Sequence, residues 1–171
     1  DARAQDELLN CRGLICLLTD TIDRALLEAM PNLEFVSSVS VGVDHIDVVA
    51  LTERHIPVGH TPGVLVDTTA DAAFALLLAA ARRVAEGDRF IREGHWRPDS
   101  RWSLEFFLGK GGSGATLGII GLGAVGRAVA RRAAGFDMRV LSWTPSGREV
   151  AGVESVSLEE LLLRSDFVSV H

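Results

Sequence analysis

The stretch "TLGIIGLGAVGRAVARRAAGFDMRVLSW", residues 116–143, decides the fold. Leu117, Ile119 and Ile120 read as a short strand. Gly121, Gly123 and Gly126 then give G-x-G-x-x-G. Ala128, Val129, Ala133 and Phe136 continue at helical spacing, and "MRVLSW" is the next strand. The glycine pattern alone is a weak signal; between a strand and a helix inside a βαβ unit it is a strong one. Gly121 permits the tight turn. Gly123 lets backbone approach a pyrophosphate. Gly126 lets helix and strand lie close together. The first amides of the helix point at the phosphates, and the helix dipole adds to the attraction. Gly121, Leu122, Gly123, Ala124, Val125 and Gly126 are therefore the candidate dinucleotide cradle. A glycine-rich turn without a ligand is the bland alternative, and the completeness of the unit argues against it.

The second strand runs into "SWTPSGR". An acidic residue about twenty positions beyond the glycines would hold the ribose 2′-hydroxyl of NAD and repel a 2′-phosphate. This chain has Thr144 there. Thr144 and Ser146 are neutral donors, and Arg148 brings positive charge, so NADP(H) is favoured over NAD(H). The competing reading is that Arg148 only points into solvent.

Outward toward the N-terminus, "GLICLL" (13–18) reads as a buried parallel strand. "TDTIDRALLEAM" follows as a helix with Ile22, Leu26, Leu27 and Met30 at helical spacing, closed by Pro31. "LEFVSSVSVG" (33–42) is a strand ending at Gly42, "HIDVVALTERH" a short helix with Asp44 or Asp47 as cap, and "IPVGHT" (56–61) a third strand. Strands alternating with helices mean α/β with a parallel sheet. After Pro62 and Gly63, apolar positions from Ala70 to Val84 repeat as one long helix, with Thr68 or Thr69 as its cap, opening a second domain. "ARRVAEGDRFIRE" is mixed in sign and reads as a solvated helix face. Residues 94–115 form a long irregular connection, a kind of segment that often carries function.

The 171 residues are 47% hydrophobic and 23% charged, as in a globular protein, and the net charge of -6 comes with no basic stripe for nucleic acid. Cys11 and Cys16 lack the spacing of a zinc or redox pair and suit a reducing cytosol. No membrane partner, metal ligand set or targeting segment is read. The chain opens on Asp1 and closes on the strand-like "SDFVSVH", so a fragment of a longer protein is expected.

"SVGVDHIDV", "IPVGHTPGVLVDTTADAAFALLLAAARR", "TLGIIGLGAVGRAVARRAAGFDMRVL" and "SDFVSVH" together resemble the D-isomer-specific 2-hydroxyacid dehydrogenase family, nearest its glyoxylate/hydroxypyruvate reductase branch. The resemblance spans nearly the whole chain. It implies two Rossmann-like parallel-sheet domains, one flavodoxin-like and one dinucleotide-binding, both incomplete here, with the active site in the cleft between them. Residues 1–65 would belong to the substrate domain and 66–171 to the N-terminal part of the cofactor domain. It implies NADPH-dependent reduction of a small 2-keto acid, with backbone amides carried over to Val41 and Gly42 holding its carboxylate. A plain strand-to-helix turn at that loop stays open as the alternative.

The family's Arg, Glu and His would lie beyond His171, so no catalytic residue is expected within the chain, and the fragment alone would be inactive. None of His45, His55, His60, His95 and His171 falls in the family's catalytic motif; His171 reads as a strand end. The resemblance also implies a cytoplasmic homodimer paired through the cofactor domain, in which Trp102, more than Trp96, could reach the neighbour's active site or anchor the interface. Four positions depart from the family: Ala124 and Pro145 stand where Arg is common, and Gly111 and Gly112 where an Asp-Leu type pair is common. The open alternatives are an NAD-linked 2-hydroxyacid dehydrogenase of other substrate preference and a non-catalytic dinucleotide-binding regulator on the same fold.

Overall fold

The structure, a computed structural model, describes residues 8–97, 99 and 103–171. It divides into two compact units that meet in sequence at Val64 and Leu65. The first unit holds β1 (Gly13–Leu17), α1 (Arg24–Glu28), β2 (Phe35–Val39), α2 (Val48–Glu53) and β3 (Val58–Gly59). Its strands form a parallel sheet in the order β1-β2-β3.

Asp23 caps α1 by accepting from the Leu26 amide at 2.9 Å, and Asp47 caps α2 by accepting from Ala50 at 2.8 Å. Such caps hold donors that the helix itself leaves free, each worth about 1 kcal/mol. Arg54 donates to the carbonyls of Leu27 and Met30 at the other end of α1. Leu27, Met30, Val36, Leu51 and Cys16 close the core of this unit. Each large side chain buried there contributes about 1.5–3 kcal/mol.

The second unit holds α3 (Val66–Ala81), α4 (Val84–Arg92), β4 (Thr116–Ile120), α5 (Ala124–Ala134), β5 (Arg139–Trp143), β6 (Glu154–Ser155), α6 (Leu158–Arg164) and β7 (Phe167–Val170). The sheet is parallel throughout, in the order β6-β5-β4-β7. Its chain runs outward from β4 to β6 and then returns to the other side of β4. Such a reversal opens a crevice at the carboxyl ends of β4 and β7, where ligands of doubly wound sheets bind. Leu117, Ile119, Val129, Ala133 and Val140 pack the centre. Small residues on α5 and α3 keep the helices close, and Arg132 ties them at the surface by donating to Asp71 at 2.6 Å.

Several boundaries differ from the sequence expectation. Strand β2 stops at Val39 rather than Gly42, because residues 40–42 turn out of the ladder. Ile22 precedes α1, buried and bridged to Ile46. β3 is two residues long. Neither Thr68 nor Thr69 caps α3. The helix starts at Val66 with Leu65 at its cap position, and the Thr68 hydroxyl donates back to the Leu65 carbonyl. The single long helix is two, since Arg83 takes a left-handed backbone and breaks it before Val84. Phe136 lies just past α5, its ring tilted against that of Phe74 at 5.1 Å between centres. The mixed-charge segment does form a helix with no buried residue.

Candidate functional site

The strand-to-helix turn at residues 120–124 is shaped by neighbours far away in sequence. The Gly121 amide donates to the Trp143 carbonyl at 2.9 Å, and the His171 amide donates to Ile120 at 2.9 Å. Gly121 has φ +97, and a Cβ there would collide with the His171 carbonyl oxygen. A Cβ on Gly126 would strike the Gly121 carbonyl oxygen. Both glycines are demanded by the protein's own packing. Gly123 is different: a Cβ there would meet no atom of the other described residues within 4 Å. That open space, in front of a helix start, is what a ligand's approach requires.

No side chain caps α5, and the amides of Ala124, Val125 and Gly126 find no acceptor among the described residues. These donors, with the positive end of the helix dipole, fit a pyrophosphate. Leu122 turns its side chain into the core and offers the site backbone only. Its carbonyl is held by the Arg127 guanidinium at 3.1 Å, which keeps that arginine at the turn.

Beyond β5, the Thr144 and Ser146 hydroxyls lie 3.2 Å apart. Arg148 is exposed and makes no hydrogen bond or ion pair among the described residues. His171 Nε2 lies 2.8 Å from Ser169 Oγ, and partial burial lowers the imidazole below its ordinary pKa of 6.5. Its amide closes the β4–β7 ladder, which is the strand-end role. Asp166 clamps the start of β4, accepting from Lys110 Nζ at 2.6 Å and from the Thr116 amide at 2.8 Å. Those two donors, Lys110 first, hold its carboxyl below the ordinary 3.8. Nothing in the sequence reading marked Asp166.

In the first unit, residues 40–43 form a second loop with free amides. Thr61 donates to the Ser40 carbonyl through its amide at 2.9 Å and its hydroxyl at 3.0 Å. His60 Nδ1 donates to the Val41 carbonyl at 2.9 Å, and Ser40 Oγ donates to the Gly42 carbonyl at 2.6 Å. These peptides are trans. Each bound carbonyl therefore sends the following N–H the opposite way. The amides of Val41, Gly42 and Val43 have no acceptor among the described residues. Val41 is exposed. Asp44 stands beside Gly42, so an anion there would meet directed N–H groups against one nearby carboxylate. Asp47 is the helix cap at the end of this loop.

Residues 74–171 match the family model described as D-isomer specific 2-hydroxyacid dehydrogenase, NAD binding domain. The chain belongs to the D-isomer specific 2-hydroxyacid dehydrogenase family. The glyoxylate reductase of Korarchaeum cryptofilum is 52% identical over 170 residues, covering 97% of this chain and 51% of that protein. The crystal structure of a Thermus thermophilus protein is 43% identical with a TM-score of 0.90, covering 99% of this chain and 53% of that one. A 2-hydroxyacid dehydrogenase from Ketogulonicigenium vulgare is 32% identical at the same TM-score and the same coverage. The chain spans about half the length of the curated relatives it matches. In the family's terms, the β4–α5 turn lies in the NAD(P)-binding domain. Trp102 lies outside the described residues; Trp96 is exposed and packs against Phe106 at 5.8 Å between ring centres. Among the described residues no helix is long and apolar enough to cross a membrane.

Proposed function

We propose that the protein reduces a small 2-keto acid of the glyoxylate or hydroxypyruvate type to the D-2-hydroxy acid, with NADPH preferred over NADH. The observation that carries this reading is the two rows of unclaimed amides, at the start of α5 and at residues 41–43. A pyrophosphate and a carboxylate are the anions such N–H groups take. Likeness to the glyoxylate reductases favours the small keto acid. Residues 1–65 would form part of the substrate domain and residues 66–171 the first part of the cofactor domain, a division one residue from the boundary between the two units.

NADPH, when bound, supplies the hydride that passes to the keto carbon. The Gly121 turn and the amides of Ala124, Val125 and Gly126 would orient the pyrophosphate. Val41 and Gly42 would hold the carboxylate and present one orientation of the substrate, which lowers the entropic part of the barrier. Thr144, Ser146 and Arg148 would receive the 2′-phosphate: two hydroxyls and a guanidinium with no partner among the described residues suit a dianion. No residue of the chain is assigned the proton transfer. A cytoplasmic homodimer, paired through the second unit, suits the exposed Trp96 beside the aromatic group of Phe90, Phe106 and Phe107.

The test is a fluorescence titration of the full-length protein with NADPH and NADH, followed by glyoxylate-dependent oxidation of each. NADPH should bind at least tenfold tighter, about 1.4 kcal/mol, and Arg148→Gln should close that gap while leaving NADH unchanged. Equal or tighter NADH binding replaces this reading with an NAD-linked 2-hydroxyacid dehydrogenase. Nucleotide binding without reduction of any 2-keto acid points to a dinucleotide-binding regulator.

A further inference from the structure

The loop of residues 40–43 is held from behind by a chain of polar side chains whose hydrogens can be counted. Ser40 Oγ donates to the Gly42 carbonyl at 2.6 Å. A hydroxyl has one hydrogen, so Ser40 can only accept from its other neighbour. That neighbour is Ser38 Oγ, 2.6 Å away and 1% exposed as a residue. Ser38 must therefore donate to Ser40, and its own hydrogen is spent. The remaining partner of Ser38 is His45 Nε2 at 3.0 Å, which must then be the donor. The direction is fixed along the whole chain: His45 Nε2–H to Ser38, Ser38 to Ser40, Ser40 to the Gly42 carbonyl.

His45 Nδ1 supports the same count. It is buried and has no hydrogen-bond partner among the described residues. A tautomer protonated at Nδ1 would bury an N–H with no acceptor, and would leave Nε2 and Ser38 facing each other with no hydrogen between them. With the proton on Nε2, only a lone pair goes unused. Hydrogen bonds aligned head to tail polarise one another, so the chain is stiffer than its separate links.

We propose that His45, acting through Ser38 and Ser40, is a positioning residue that turns the Gly42–Val43 peptide so that its N–H faces the substrate carboxylate. This rests on the reading above that residues 41 and 42 receive that carboxylate, and extends the anion-holding row to the Val43 amide. Ser38 and His45 do not touch the substrate. They fix the carbonyl, and the rigid peptide plane carries the orientation across to the N–H.

The experiment has two arms on the full-length protein. In the first, the long-range proton–nitrogen NMR spectrum of the wild type reads which imidazole nitrogen of His45 carries the hydrogen. Protonation at Nε2 is expected; a proton on Nδ1 alone overturns the relay. In the second, steady-state kinetics with glyoxylate and saturating NADPH compare wild type with Ser38→Ala, His45→Leu and His45→Gln. A lost link to a charge-binding loop should raise KM for glyoxylate about tenfold in Ser38→Ala and His45→Leu. The turnover number and NADPH affinity should stay near wild type. His45→Gln, whose amide can donate where Nε2–H does, should recover most of the loss. Unchanged KM in both Ser38→Ala and His45→Leu overturns the proposal. So does a joint fall of KM performance, turnover and NADPH affinity, the mark of a merely structural role. A wild type that shows the Nε2 proton but reduces no 2-keto acid instead overturns the proposed function, and the carboxylate half of this proposal falls with it.

Discussion

The two amide-bearing loops of this chain solve one problem by different means. The turn at residues 120–126 is made by steric demand: glycine at 121 and 126, where a Cβ would strike a carbonyl, and a helix that leaves its first amides unused among the described residues. The loop at residues 40–43 is made by side-chain hydrogen bonds, each holding a carbonyl so that the following amide is free. A steric device tolerates no substitution at its key residue but needs no polar partner. A hydrogen-bonded device is spread over Ser38, Ser40, His45, His60 and Thr61, and loses function by steps as links are removed.

The comparison breaks first at Gly121. Gly121→Ala adds a Cβ at φ +97 against the His171 carbonyl. It should cost about 3 kcal/mol or more, from overpacking added to a backbone that side chains resist. Chemical denaturation would show this as a lowered midpoint, together with lost nucleotide binding. Stability close to wild type would mean that the turn relaxes easily and is not steric in origin.

Gly123→Ala sharpens the contrast, because the protein leaves that position open. Its backbone, φ -70 and ψ -161, is extended and accepts any residue. Stability should fall by no more than about 1 kcal/mol, the difference between Gly and Ala at a helix cap. Affinity for NADPH should nonetheless weaken about tenfold, close to 1.4 kcal/mol. Paired measurements of melting and nucleotide titration separate the two glycines: one serves the fold, the other the ligand.

The smallest effect expected is at Asp166, where the second unit also relies on a side-chain clamp. Its carboxyl is lowered by Lys110 and by the Thr116 amide. The native state therefore binds that proton less readily than the unfolded chain does. The stability Asp166 adds is complete above pH 3.8, its ordinary value, and disappears as pH falls through the lower native value. Denaturation curves of wild type and Asp166→Asn, taken from neutral to acid pH, should differ at the neutral end and converge at the acid end. A gap that stays constant with pH would show that packing of the side chain, not its charge, is what matters.

Much of the second unit was legible in the sequence because its information is local. A strand, three glycines and an amphipathic helix follow one another within residues 116–134, and the apolar spacing names the elements. The helix expected to run on to Val84 is broken because Arg83 sits in a left-handed conformation that the arginine side chain does not signal in the sequence. Thr68 was read as an acceptor at a helix start, yet its hydroxyl donates to a carbonyl one turn back. The strand expected over residues 33–42 reaches to Gly42, and the carboxylate role of Val41 and Gly42 comes only from the resemblance, so the way the loop is held is not legible in the sequence. Strand alternation would give Ser38 and Ser40 one face, but it cannot say that one hydroxyl is buried and the other bends the chain onto Gly42. The link to His45 depends on which hydrogens are already spent, and that count needs coordinates.

The placement of β7 beside β4 bears on when the nucleotide turn comes into being. Ile120 gives its carbonyl to His171, and Gly121 lies against the carbonyl of that same residue. A nascent chain leaving the ribosome delivers the whole glycine signature before either contact exists. Until His171 has emerged and docked, the turn lacks the wall it is moulded against. The most recognisable motif in the chain thus takes its shape from a strand that lies well downstream of it.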